Sequence, residues 1–162
     1  MSRKNPDAKR VLENLKDLPR TGILSKSIEG MIYLDLDDEW IFKALEVLKD
    51  YDYTRPPFFK YPPTPVGAHI KIVTKREAED NDIENSQNFS DFTELLGKSF
   101  GFKIKKAFVS HPKVDNDGID TRYVIRVEIN SELVKIRKDL TGKITAPKNG
   151  FEIIVGITKK KE

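Results

Sequence analysis

Apolar and polar residues first alternate regularly at Met31-Ile32-Tyr33-Leu34-Asp35-Leu36, which reads as a strand. The pattern then changes period. Trp40, Ile41, Ala44, Leu45 and Leu48 fall on one stripe of a helix from about Glu39 to Tyr51, with Asp37 or Asp38 able to cap it. Alternation returns in Gly67-Ala68-His69-Ile70-Lys71-Ile72-Val73, where Ile70 and Ile72 point one way and His69 and Lys71 the other. From Lys75 to Asn88 nothing is periodic, which predicts an exposed loop; a short helix follows over Asp91 to Leu96 and stops at Gly97. Phe102 to Ser110 and Arg122 to Ile129 are strands joined by an Asp-, Asn- and Gly-rich turn, hence a hairpin. Ser131 caps a helix from Glu132 to Leu140, and Phe151 to Ile157 is the last strand. There Phe151, Ile153, Val155 and Ile157 share one face, with Glu152 and Ile154 on the other.

Three stretches stand outside this pattern. Residues 1–29 read as a polar, basic N-terminal extension with a short amphipathic helix over Asp7 to Leu18, ended by Pro19 and Gly22. That helix either packs on the domain or serves as a basic arm for a polyanion. Thr54 to Pro65 holds five prolines, which forbid helix and interior strand. Its aromatics either wall a pocket or pin the loop to the core, and a proline-rich segment can also serve as ligand for a partner domain. Residues 159–162 are a charged tail, expected to be disordered. The remaining 30–158 predict a single α+β domain.

Composition narrows the function classes. A chain of 162 residues that is 38% hydrophobic and 34% charged suits one globular core under a charged surface. No run is long and apolar enough to span a membrane, and Met1-Ser2-Arg3-Lys4-Asn5 lacks the apolar segment of a secretion signal, so the expected setting is the cytoplasm. There is no cysteine and there are only two histidines, so no metal or other cofactor is expected. The net charge of +3 permits an anionic partner without demanding one. Phosphate-loop, nucleophile-elbow and His-Glu-x-x-His motifs are missing. Asp35-Leu36-Asp37-Asp38 has the look of a metal cluster, but its place at a strand-to-helix junction favours capping.

The two Gly-led strands, Gly67 to Val73 and Gly150 to Ile157, resemble the paired motifs of the two-histidine phosphoesterase superfamily, whose signature is His-x-Thr or His-x-Ser framed by apolar residues, once in each half. His69 fits the first histidine, and Lys71 replaces its hydroxyl residue. Glu152 stands where the second histidine belongs, and Ile154 where the second hydroxyl belongs. The likeness covers roughly residues 31 to 157. It implies two pseudo-symmetric β-α-β lobes with antiparallel sheets around a central groove, in a monomer acting on RNA or small cyclic nucleotides. In that family one histidine takes a proton, the other gives one, and the hydroxyls hold phosphate oxygens.

With one imidazole left, the resemblance implies a degenerate member that binds RNA ends or small nucleotides without efficient cleavage. The alternatives are a 2′,3′-cyclic or 2′-5′ phosphodiesterase using His69 with Glu152, and a protein-interaction domain. Lys71 offers a phosphate a cation. Arg122 and Arg126 alternate with Val124 on one strand face and either clamp phosphates or are ordinary surface charge, an ambiguity that Lys103 and Lys105 share. Glu152 either faces the ligand or pairs with Lys71 and neutralises the groove. His111 reads as an exposed turn residue.

Overall fold

A computed structural model of the protein describes residues 5–56, 67–112, 118–147 and 150–160. These form an α+β fold of five helices and one six-stranded, wholly antiparallel sheet. In chain order the elements are α1 (Ala8–Leu15), β1 (Thr21–Lys26), β2 (Ile32–Asp35), α2 (Glu39–Leu48), β3 (His69–Val73), α3 (Lys75–Asp80), α4 (Phe89–Thr93), β4 (Ser99–Ser110), β5 (Ile119–Ile129), α5 (Ser131–Thr141) and β6 (Glu152–Lys159). None of these helices is long and apolar enough to cross a membrane.

The strand order is β3-β2-β1-β4-β5-β6. The sequence Strand, strand, helix, strand occurs twice: β1-β2-α2-β3, then β4-β5-α5-β6. In each, the strand after the helix returns antiparallel to the outer edge of its own hairpin. The two sets join where the start of β4 pairs with β1, Thr21 opposite Gly101 and Ile23 opposite Ser99. β3 and β6 therefore lie at opposite ends of the strand order and share no ladder. A side-by-side pairing of the two Gly-led strands, which would set His69 and Glu152 on one ladder, is not formed. The sheet is instead bent so that its two outer strands approach each other, and the helices cross between sets: α2 packs on β6, α5 on β3.

One apolar cluster fills the fold. Trp40, Ile41, Ala44 and Leu48 of α2 meet Ile70 and Ile72 of β3, Tyr123, Ile125 and Val127 of β5, and Ile153 and Val155 of β6. Trp40 is a core residue, tilted against Phe102 with ring centroids 5.6 Å apart. α1 docks on α2 through the buried Val11 and Leu15. Arg20 closes that corner: its guanidinium donates to the carbonyls of Leu15 and Leu18 and lies over the Trp40 ring at 5.1 Å.

Several local expectations change. The stretch 1–29 supplies β1, which bridges the two sets of strands. Gly22 sits there because a Cβ would lie 2.6 Å from Leu36 Cδ2 and 2.8 Å from the Asp35 carbonyl oxygen. The segment after Val73, read as a loop, folds into α3. Thr74 and Glu77 make a complete capping box, with Glu77 N donating to Thr74 Oγ1 at 3.1 Å and Thr74 N to Glu77 Oε1 at 3.0 Å. Asn130, not Ser131, caps α5, accepting from Glu132 N at 2.8 Å. β6 continues through Thr158, which is buried and bonded to Thr121, so the chain is still ordered at the start of the expected tail.

Candidate functional site

The site lies on the face of the sheet turned away from the apolar cluster, where β3 and β6 approach. β3 enters it through Gly67, whose φ of +70° a side chain would resist and whose Cβ would collide with the Asp38 carboxylate. Asp38 accepts from Ala68 N at 3.0 Å, so it braces this strand rather than capping its own helix; Asp37 does the capping, accepting from Glu39 N at 2.9 Å. Two residues on, His69 stands opposite Asp35, and Lys71 opposite Tyr33.

His69 is 6% exposed. Although His69 points away from Ile70 and Ile72, its ring is covered, with the Tyr33 ring edge-on at 5.8 Å. Nδ1 lies 2.8 Å from the Gly67 carbonyl oxygen, which can only accept, so Nδ1 carries the proton and Nε2 the lone pair. Burial pulls its pKa down to about 4; the Gly67 hydrogen bond opposes this and the Lys71 cation adds to it. At neutral pH His69 is an uncharged imidazole.

β6 begins in the same way. Gly150, φ +81°, precedes Glu152 by two residues, as Gly67 precedes His69. The Arg126 side chain lies across Gly150, where a Cβ would come 3.0 Å from its Nε. Arg126 is also the cross-strand neighbour of Glu152. Partial burial raises the Glu152 pKa against the pull of Arg126, Arg122 and Lys71. The Lys71 pKa is lowered, first by desolvation, then by Arg122, with Glu152 opposing. Lys71 nonetheless remains solvent-accessible. It is recessed among neighbouring groups rather than sealed off from water.

Lys71, Arg122, Arg126 and Glu152 are therefore brought together from three strands, with His69 next to Lys71 on the same face. A direct Lys71–Glu152 salt bridge is not formed. Among the described residues neither Lys71, Arg122 nor Glu152 makes an ion pair or a side-chain hydrogen bond. Ile154 is half-buried beside Val124 and adds nothing polar. His111 is exposed just past β4. No group of three or more metal-ligating side chains occurs among the described residues. The proline-rich positions 57–66, the turn at 113–117, residues 1–4 and the last two residues lie outside the described set.

Tyr33 and Asp35 belong to this face: Tyr33 escaped the sequence reading, and Asp35, read with Asp37 and Asp38 as capping, stands opposite His69 instead. Asp35 has its pKa raised by partial burial and by Asp38, and Tyr33 by burial and by Asp35. The signal in the sequence is the alternation of Tyr33 and Asp35 against Ile32 and Leu34. Lys106 and Phe108 were missed likewise. Both lie on this face of β4, opposite Arg126 and Val124.

Comparison with family models, with curated proteins and with solved structures finds no match to this chain.

Proposed function

We propose that this chain is a cytoplasmic, monomeric, degenerate relative of the two-histidine phosphoesterases that holds the phosphate of an RNA end or small nucleotide without cleaving it efficiently. The twice-repeated order of hairpin, helix and returning strand supports the two-lobed reading, with the face between β3 and β6 as its groove. The observation that carries the function is the convergence of Lys71, Arg122 and Arg126 on one carboxylate. Lys71 and Arg122 form no ion pair within the described fold. Three cations around one anion leave a positive site for a phosphodiester. Cleavage needs a base and an acid working near neutrality. A buried imidazole titrating near 4 is a weak base, and at pH 7 its one proton is held on Nδ1 by the Gly67 carbonyl, with none on Nε2 to give to a leaving group.

Calorimetric titration with 2′,3′-cyclic UMP and with a 2′-5′ adenylate dimer tests this. Binding should weaken with salt, and Lys71→Ala or Arg126→Ala should each lower affinity about tenfold. Unchanged affinity in both variants overturns the proposal. The second reading, a residual phosphodiesterase, draws on the opposed shifts of His69 and Glu152, which suit a base and an acid respectively. It requires turnover that disappears in His69→Ala.

A further inference from the structure

The positive site does not stop at the β3–β6 approach. On the same face of the β4–β5 ladder, Lys106 stands directly opposite Arg126. Like charges facing each other across two strands repel. Both side chains lean on one ring: the Lys106 ammonium is 5.0 Å and the Arg126 guanidinium 5.1 Å from the Phe108 centroid. Phe108 is half-buried and takes no part in the apolar cluster. Beyond a register shift, exposed Lys103 continues the row opposite Glu128. From Arg122 to Glu128 the strand covers about 20 Å at roughly 3.4 Å per residue, longer than one nucleotide.

A half-exposed aromatic edged by cations, in line with a phosphate site, is the arrangement that holds unpaired bases and their backbone. We infer that this face takes a single RNA strand of several nucleotides, one base stacking on Phe108 while Lys106 and Lys103 meet the phosphates beyond the one held at Lys71 and Arg122. The incoming base displaces the exposed Lys106 chain from the ring, and the freed ammonium turns to the backbone. The two facing cations then have an anion between them. This rests on the phosphate-binding reading above and extends it, naming a polymer where a mononucleotide would fill only one end.

The test compares two probes on the whole chain: fluorescein-labelled hexauridylate by anisotropy, and 2′,3′-cyclic UMP by calorimetry. Hexauridylate should bind at least about tenfold more tightly, with a log–log salt slope near −2, since each contact contributes about −0.7 on a single strand. Phe108→Ala should lower hexauridylate affinity about tenfold and Phe108→Trp should retain it. Lys106→Ala should lower it about threefold. Phe108→Trp, which keeps a ring beneath Arg126, should bind cyclic UMP within about twofold of the parent protein, and the loss in Phe108→Ala should be larger for hexauridylate than for cyclic UMP. Equal affinity for the two probes, or hexauridylate binding indifferent to Phe108→Ala, overturns the inference and leaves the phosphate site standing. Failure of both probes to bind overturns the phosphate site itself.

Discussion

Two charged clusters span the two sets of strands, and they differ in how far their charges are satisfied. Behind β3, Arg137 of α5 is 1% exposed. It clasps Glu77 with two bonds of 2.7 Å and donates to the carbonyls of Ile72 at 2.9 Å and Thr145 at 2.6 Å. Lys71 precedes Ile72, yet on the opposite face it, Arg122 and Glu152 sit near one another with no such bonds. A saturated buried pair fixes position, because nothing is left for a ligand to gain. An unsaturated cluster of excess cations leaves its hydrogen-bonding capacity for something that arrives. The first holds β3 to the second set of strands, and the second is the ground of the proposed phosphate site.

Breaking the clasp gives the largest effect. Arg137→Ala leaves Glu77 charged and half-enclosed, and should cost about 4 kcal/mol of stability in urea unfolding. Nucleotide affinity should fall with it, because the clasp positions β3. Acid separates the two regions in two windows. Burial holds the His69 pKa below its unfolded value of 6.5, so its stabilising share is present above that pH and is lost as pH falls towards about 4. Between those pH values the parent protein should lose about 3 kcal/mol more than His69→Gln. Burial would raise the Glu77 pKa, but the hydrogen bonds from Arg137 and the Thr74 backbone outweigh it and hold the group at about 2, against a reference of 4.5. Its share is also present above the unfolded pKa and lost on acidification, here between 4.5 and about 2, amounting to about 3 kcal/mol. Arg137→Ala should shrink this second loss, leaving only the share held by the Thr74 backbone, and keep the first.

Changes in the open cluster should move binding and spare the fold. Lys71→Ala should lower cyclic-nucleotide affinity about tenfold while shifting stability by no more than about 0.5 kcal/mol. Glu152→Gln is the mildest change. Removing the one carboxylate among three cations should tighten phosphate binding about threefold, the scale of a half-exposed charge interaction. Weaker binding in that variant would mean that Glu152 itself contacts the ligand.

Elements that bury a periodic stripe were legible from sequence. α2, β3, β5, α5 and β6 each place three or more apolar side chains in the core, and the alternation or helical spacing showed them. β1 buries only Gly22 and Leu24, so a strand central to the topology left almost no pattern. α3 buries only Ala78 and carries no apolar periodicity; its one sign in the sequence is the Thr74–Glu77 capping box. Alternation also put Lys71, Arg122, Arg126 and Glu152 on faces away from the core. The bend that brings β3 to β6 was not readable, since it depends on how α2 and α5 pack across the two sets of strands. Nor was the cover over His69, which comes partly from Tyr33 on the neighbouring strand.

The central claim is that the cations between β3 and β6 receive a nucleotide phosphate. Amide chemical shifts of the ¹⁵N-labelled chain, followed during titration with 2′,3′-cyclic UMP at low salt, test it most directly. Saturable changes gathered at Lys71, Arg122 to Arg126 and Glu152 to Ile154 are the expected result. A spectrum unmoved at millimolar nucleotide, or changes confined to the separate cleft that Phe92 and Leu95 line with Ile136 and Leu140 of α5, would contradict it.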